Sequence, residues 1–195
     1  MTATEEETSA ASAGQVDERA LESGAAFQAV QPDPGPVDIR ALAVAAATAA
    51  GAFAPGQGSP DDAVRACVVR DGITEKIEKL VINDGGAHGA GTTVEYTDGY
   101  YDEQGERIAT ATGSAVVVAM TPHMWQFHAS TAEFADGSFA VSGFLDAAAL
   151  MRSMTQILQI RGLTGRYAGK AGYMSLTVAD PSQRPPHYAT AFALC

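Results

Sequence analysis

The sequence has few charged residues and is short of positive charge in particular. Only 18% of its 195 residues are charged, and 12 Lys and Arg stand against 23 Asp and Glu, so the formal net charge is −11. A chain this acidic repels a phosphate backbone and an anionic lipid surface, so neither nucleic acid nor a membrane is expected as a partner. The apolar fraction of 46% excludes a chain that is disordered throughout.

Cysteines and long apolar runs are also scarce. The two cysteines, Cys67 and Cys195, are too few for a disulfide framework or a C-x-x-C metal site, so a reducing compartment with free thiols is expected. Glu5, Glu6 and Glu7 stand where a signal peptide needs basic residues. No uninterrupted apolar run reaches the roughly 18–20 residues of a membrane span. These features together predict a cytoplasmic protein.

The common catalytic motifs are missing. The sequence contains no nucleophile elbow, phosphate-binding loop, dinucleotide fingerprint or HExxH motif. His123 and His128 are five residues apart on or near one predicted strand, so they would point to opposite faces, and the sequence offers no further ligands for a metal site built from them. Neither a metal nor a cofactor is therefore expected.

The chain divides into three parts by composition. Residues 1–37 hold seven acidic residues and one basic residue, which predicts a disordered acidic tail. Residues 38–60 contain an alanine-rich helix over 38–54 with Asp38 as its N-cap, followed by a Gly/Pro hinge. The helix has only a weak apolar face, so it must dock on the domain over residues 61–195 or be mobile.

From about residue 64 the apolar pattern has the period of a strand. Val64–Val69 is ambiguous between a strand and a helical turn. The predicted strands are Ile73–Val81, Thr92–Tyr101, Arg107–Ala119, Met124–Glu133, Ser138–Leu145, Ile157–Ile160, Ala171–Ala179 and Tyr188–Leu194. Strands joined by short turns, with no βαβ pattern, predict an all-β antiparallel barrel or sandwich.

Strand alternation alone leaves the candidate functional face undecided. On Met124–Glu133 one face carries Gln126 and His128, and the other carries Trp125 and Phe127. The polar face would point to solvent in an ordinary sheet, and into the lumen in a ligand-binding barrel. Glu75 poses the same question, because it shares an otherwise apolar face with Ile73, Ile77 and Val81. Tyr96 fits either a core or a site position.

Two stretches resemble a known family and favour the barrel. Gly162–Gly172, with the sequence GLTGRYAGKAG, resembles the signature glycine-rich hairpin of allene-oxide-cyclase-like and dirigent-like barrels. Gly91–Thr112 resembles the strand pair of the same family and its YDExG turn. The resemblance covers about residues 70–195 and implies an eight-stranded antiparallel barrel with an N-terminal helical lid.

Within that superfamily the sequence is most similar to bacterial spirotetronate and spirotetramate cyclases. The resemblance implies a cofactor-independent enzyme that closes a hydrophobic polyene by an intramolecular [4+2] cycloaddition, forming the spiro ring of a tetramate or tetronate polyketide. Its N-terminal extension is similar to that of the pyrroindomycin-type branch. Two alternatives stay open: another isomerase or cyclase on the same barrel, such as an allene-oxide-cyclase-like enzyme, and a barrel that binds a small molecule without catalysis.

The resemblance also implies site residues. The catalytic candidates are Gln126, Tyr96 and His128 as hydrogen-bond donors to ring carbonyls, with Glu75 to orient one of them or to bind a polar end of the substrate. The substrate-binding candidates are Val94, Val117, Ala119, Met124, Met174 and Leu176 in the lumen, with Leu42 and Phe53 on a lid over the mouth. Outward-facing Trp125 and Phe127 suggest a homodimer.

Overall fold

The computed structural model describes residues 37–51, 59–85 and 88–195. These residues form three helices and eight strands. The helices are α1 (Ile39–Ala49), α2 (Pro60–Ala66) and α3 (Ala147–Met151), and the strands are β1 (Val68–Asn83), β2 (Thr93–Tyr101), β3 (Arg107–Ala119), β4 (Trp125–Phe134), β5 (Gly137–Asp146), β6 (Gln156–Gly165), β7 (Ala171–Asp180) and β8 (His187–Leu194). The acidic tail predicted for residues 1–37, except its last residue, lies outside the described residues, as do Phe53 and most of the predicted hinge.

The eight strands form a closed antiparallel barrel in the order of the sequence. Each strand pairs with the next, and β8 pairs back with β1 through Val68–Lys76. The odd-numbered strands therefore all run from one end of the barrel, called the lower end here, to the other, called the upper end. The fold predicted from the sequence resemblance, an all-β eight-stranded barrel with a short N-terminal helical segment, is confirmed.

Aromatic side chains fill the lower end of the barrel. The rings of Phe134, Phe139 and Phe192 are within 4.8–5.6 Å of one another, centroid to centroid, and Phe139 and Phe192 are fully buried. The buried Tyr167 packs against them and donates a hydrogen bond to Asp136 at 3.0 Å. Interdigitated rings leave no room for a ligand, so this end is closed.

The glycine-rich turn between β6 and β7 makes this closure possible. A Cβ atom on Gly162 would lie 1.6 Å from the carbonyl oxygen of Tyr167, so no other residue fits there. Gly165 has a φ of +60°, in the left-handed region that favours glycine. The two glycines thus fold the turn back onto β6 and place Tyr167 in the aromatic cluster.

Helix α1 packs on the outer wall of the barrel, at its lower end. Asp38 caps it by accepting a hydrogen bond from the backbone N–H of Arg40 at 2.9 Å, as predicted. Its buried residues Leu42 and Ala46 form a cluster with Ala193 of β8, flanked by Val69 and Tyr173. This cluster is separate from the barrel core. The prediction that this helix docks over the barrel mouth, with Leu42 against the substrate, is therefore wrong for the described residues.

The segment of the chain that leads into β1 differs from the sequence-based expectation in two further ways. The ambiguous stretch Val64–Val69 is divided: its first three residues end helix α2 and its last two begin β1. Helix α2 begins with a capping box between Ser59 and Asp62. Cys67 and Cys195 are joined in a disulfide, so the expectation of two free thiols is wrong. Both cysteines lie beside α1, because β1 begins next to the end of β8 in the closed barrel. The cytoplasmic location stays a prediction.

The position of α1 predicts a stabilising role for Leu42. Leu42→Ala is expected to lower the free energy of unfolding by about 2–3 kcal/mol, because a buried leucine loses its contacts and leaves a cavity. Urea unfolding measures this change. Leu163→Ala, at a leucine that is 47% exposed, is the matched control and is expected to cost far less. A Leu42→Ala protein with unchanged stability would contradict this packing role.

Candidate functional site

The upper half of the barrel encloses a cavity of about 280 Å³. Leu80 and Ile82, near the end of β1, line it and are about half exposed, so the cavity opens at the upper end. Its apolar wall includes Val94, Ala115, Val141, Leu158, Met174 and Leu176. Its polar side chains are Glu75, Tyr96, Asp98, Gln126, His128 and Ser130, with Tyr100 and Tyr188. Such a lining suits a mainly apolar ligand held by a few oriented polar groups.

A bulge in β1 changes which side chains reach the lumen. Ile77 pairs with Asp98 and Lys79 with Thr97, so Glu78 is an extra residue in the ladder. Beyond this bulge the alternation is inverted, and Leu80 and Ile82 line the cavity. The sequence pattern had placed Val81 on the inward face with Glu75. The structure corrects this, because a single inserted residue turns every later side chain to the other face.

A second bulge, in β3, explains the failed prediction for Ala119. Val117 pairs with Gln126 and Ala119 with Trp125, so Val118 is the extra residue. Directly paired residues share a face, so Ala119 lies on the outer face with Trp125 and does not line the cavity. Val117 is buried but also outside the lining, and Met124 lies beside the Gln126 amide at 3.9 Å rather than on the wall.

Strand β4 directs its polar face into the lumen. Gln126, His128 and Ser130 line the cavity, whereas Trp125 on the other face is 37% exposed. Tyr96 of β2 reaches the same cavity. The alternation left two interpretations open, with the polar face toward solvent or toward the lumen. The structure confirms that these side chains lie in the lumen. Their catalytic roles stay predictions.

Tyr96, His128 and Gln126 form one chain of hydrogen bonds. The Tyr96 hydroxyl lies 3.4 Å from Nδ1 of His128, and Nε2 of His128 lies 3.0 Å from the Gln126 carbonyl oxygen Oε1. Burial lowers the pKa of His128 to about 4, so its ring is neutral at pH 7 and carries one N–H. Because Oε1 can only accept, Nε2 donates to it, and Nδ1 accepts from Tyr96. The protons of Tyr96 and His128 are thus used within the chain. One N–H of the Gln126 amide donates to the Met124 sulfur at 3.9 Å, and the other N–H is left for a ligand.

Two carboxyl groups lie on the same wall of the cavity, deeper in the barrel than this chain of hydrogen bonds. Glu75 is 7% exposed and accepts a hydrogen bond from the Thr190 hydroxyl at 2.8 Å. Asp98, 4% exposed, is two residues below Tyr96 on β2 and lies diagonally across the ladder from Glu75. Burial raises the pKa of Glu75, and burial with the charge and hydrogen bonding of Glu75 raises the pKa of Asp98 to about 9. The pair therefore keeps a proton at pH 7.

Helix α3 is the helical element at the mouth. It begins at Asp146, which accepts a hydrogen bond from the backbone N–H of Ala149 at 2.9 Å and lies 2.9 Å from Nδ1 of His123. Its Leu150 is buried and lines the cavity. The sequence analysis missed this helix, although an Asp before an alanine run is an N-cap signal that could have found it.

Sequence reasoning also missed Asp98 and Tyr188 as lining residues. Asp98 has the same strand parity as Tyr96, so extending the inward face of β2 by one step would have found it. Tyr188 reaches the cavity only because β8 pairs with β1, where it lies opposite Glu75. That pairing depends on closure of the barrel and leaves no local signal in the sequence.

Asp98 predicts a dependence of stability on pH. Its pKa rises from an ordinary value of 3.8 to about 9 in the fold, so the native state holds a proton that the unfolded chain releases. The stability of the native protein should therefore fall as the pH rises toward 9. Asp98→Asn removes this group, so its stability relative to the native protein should increase between about pH 5.5 and about pH 8.5. Urea unfolding at the two pH values measures the change.

The control is Glu133→Gln, which neutralises an exposed carboxyl on β4. Its stability difference from the native protein should stay nearly constant over the same pH interval. An Asp98→Asn protein that behaves like this control would show that Asp98 is ionised in the fold.

The described residues hold neither a metal-binding cluster nor a membrane-spanning helix. In the ranges 37–51, 59–85 and 88–195, no group of three or more His, Cys, Asp or Glu side chains is arranged to hold a metal ion. No helix within these ranges is both long and apolar enough to cross a membrane.

Comparison with known proteins places this barrel among others of the same fold. Residues 78–187 match the family model of the allene oxide cyclase barrel like domain. Among solved structures, the Diels-Alderase AbmU from Streptomyces koyangensis is 22% identical with a TM-score of 0.62, and the match covers 87% of this chain and 78% of AbmU. AbnU, an exo-specific intermolecular Diels-Alderase, is 21% identical with a TM-score of 0.58, over 66% of this chain and 96% of AbnU.

A third solved structure is a nonspecific heme-binding cyclase that catalyses [4 + 2] cycloaddition during neoabyssomicin biosynthesis. It is 21% identical with a TM-score of 0.63, and the match covers 85% of this chain and 79% of that protein. At this level of identity the likeness establishes the fold.

Proposed function

Because this chain belongs to the allene oxide cyclase barrel like family, we propose that it is a cyclase that catalyses an intramolecular [4+2] cycloaddition in its lumen. The substrate proposed is a linear hydrophobic polyene that ends in a tetramate or tetronate ring, and the product contains the spiro ring of a polyketide. A diene and an alkene in the same molecule form two new carbon–carbon bonds, and no atom or electron is gained or lost. The reaction as proposed therefore needs no cofactor.

The observation that carries this proposal is an amide N–H of Gln126 that has no partner among the described residues, at the end of a hydrogen-bond chain. With Oε1 held by His128 and one N–H donated to the Met124 sulfur, the second amide N–H can donate to a ring carbonyl in the cavity. Donation to that carbonyl withdraws electrons from the attached alkene and makes it a better dienophile. Tyr96 and His128 act through Gln126 as positioning residues, because each hydrogen bond in a chain polarises the next.

The apolar wall supports the second part of the proposal, which is the folding of the polyene. Val141, Leu158 and Met174 surround the space below Gln126 with buried side chains from three strands. A flexible chain confined there loses the conformations in which diene and alkene lie apart. Holding reacting groups in a near-attack geometry supplies up to about 7–11 kcal/mol in favourable intramolecular reactions.

The proposal is tested by incubating the protein with a synthetic linear polyene that carries a tetramate or tetronate ring. We expect faster cyclisation than in buffer and one predominant stereoisomer, measured by chiral chromatography. A non-catalytic binding barrel would bind the polyene, seen by calorimetry, and leave its rate and isomer ratio as in buffer. That second result would contradict the proposed activity.

The homodimer expected from the sequence also stays a prediction. Phe127 and Phe144 pair across β4 and β5 on the outer wall, with ring centroids 5.1 Å apart, and Phe144 is 58% exposed. With Trp125, which is 37% exposed, they form an apolar patch outside the lumen.

A further inference from the structure

The lumen contains a polar group that the proposed reaction does not use. In the described part of the chain, Oδ1 of Asp98 is the only buried side-chain oxygen or nitrogen of a non-exposed residue with no hydrogen-bond partner. The residue is 4% exposed and lines the cavity. Buried polar atoms in native proteins are almost always paired, so an unpaired oxygen on the wall of a cavity indicates a ligand group that pairs with it.

The surroundings of Asp98 do not explain a carboxyl at this position. Its neighbours in the ladder are Ile77 on β1 and Ala111 on β3, both apolar. Among the described residues that line the cavity, none is a Lys or Arg. An apolar side chain would pack here without an unpaired oxygen, and replacing buried polar groups in this way is often stabilising. The carboxyl therefore makes the fold less stable than an apolar side chain would, and its neighbours in the ladder do not compensate for this loss.

Glu75 makes Asp98 part of a two-carboxyl site. Glu75 is anchored by Thr190, and both acids line the lumen below Tyr96: Asp98 is one step and Glu75 two steps further down the ladder. The proton that the pair keeps at pH 7 is used in the hydrogen bond between the two carboxyls, so Oδ1 of Asp98 is left as an acceptor. A hydroxyl group is a neutral ligand group that can donate a hydrogen bond to this oxygen.

We propose that Asp98 and Glu75 form a hydroxyl-binding site in the lumen, with Oδ1 of Asp98 as the acceptor. The substrate class is therefore a polyene that carries a hydroxyl on its hydrocarbon chain, bound deeper than the ring carbonyl at Gln126. This inference rests on the proposed function only in taking the lumen as the substrate site. It adds Asp98 as a specificity-determining residue.

The test uses two isomeric probes that differ in one hydrogen-bond donor. 1-Octanol donates and accepts, whereas methyl heptyl ether has the same formula and only accepts. By isothermal titration calorimetry, the native protein should bind 1-octanol about fivefold or more tightly than the ether, as expected for one added hydrogen bond. In Asp98→Leu this preference should fall to less than about twofold.

Two further variants keep the test decisive. Gln126→Ala removes the polar group that the proposed function assigns to the ring carbonyl, and it should retain the preference for the alcohol. Asp98→Ala removes the carboxyl without adding volume, and it takes the place of Asp98→Leu if that protein does not fold. Equal affinities in the native protein, or a preference that survives loss of Asp98, would overturn the inference. The inference would also be overturned if Gln126→Ala abolished the preference and the Asp98 variants retained it.

The outcome is independent of the proposed reaction, because no turnover is measured. Selective binding of the alcohol in a protein that does not cyclise a polyene would reject the cyclase and retain the hydroxyl site. Cyclisation by a protein without the preference would retain the cyclase and reject the site.

Discussion

Replacing Ala115 with tryptophan is expected to nearly abolish cyclisation while the barrel still folds. Ala115 lines the cavity and pairs directly with Val94 and His128, so a bulky ring at this position would fill the space beside Gln126. A polyene excluded from this space loses its near-attack geometry, and kcat/KM should fall by about a hundredfold or more. Cyclisation kinetics measure the loss, and circular dichroism with thermal unfolding establishes the fold.

The matched control for this substitution is Ala129→Trp. Ala129 is exposed on the outer face of β4, so the same ring is added to the neighbouring strand without entering the lumen. It should keep nearly the activity of the native protein. An Ala115→Trp protein that folds and retains native kcat/KM would show that the reaction takes place elsewhere.

Gln126→Ala is expected to preserve the barrel and lower turnover by about tenfold or more, because 1.4 kcal/mol of lost transition-state stabilisation corresponds to a factor of ten. The Gln126 amide donates to a carbonyl whose electron density increases as the new bonds form, so the loss should appear mainly in kcat. Measurement of kcat and KM separates this effect from weaker binding. Unchanged turnover at saturating substrate would contradict the role of the amide.

Two comparison variants test further whether the Gln126 amide contacts the substrate. Gln159→Ala removes an exposed glutamine on β6 and should have native kinetics. Tyr96→Phe removes only the first hydroxyl of the chain that ends at Gln126, so its effect on kcat should have the same direction and be smaller. A larger effect for Tyr96→Phe than for Gln126→Ala would mean that Tyr96 contacts the substrate itself.

Much of the barrel could be predicted from the sequence, because its strands carry local signals. Short turns between alternating strands predicted antiparallel pairing, and the resemblance carried by Gly162–Gly172 predicted closure. Asp38 predicted the start of α1 correctly, since a capping side chain acts within its own first turn. On β4, alternation placed Gln126 and His128 on one face, and the resemblance assigned that face to the lumen.

Other features could not be predicted because they depend on residues that are distant in the chain. The bulges at Glu78 and Val118 depend on how each strand pairs with its neighbour, so Val81 and Ala119 were assigned to the wrong face. The site of α1 docking depends on the apolar outer wall of β7 and β8, which forms only in the folded barrel. The same holds for the Cys67–Cys195 disulfide, which joins positions 128 residues apart.

By itself the sequence determined the strand periodicity, the turn at Gly162–Gly172 and the alternation that groups Gln126 with His128, since each arises from contacts within a few residues. Only the tertiary structure decided that one N–H of the Gln126 amide is left for a ligand and that Oδ1 of Asp98 is unpaired beside Glu75. The reason is that hydrogen bonding and burial in the lumen are set by side chains from several strands. These groups meet only when β8 closes the barrel on β1.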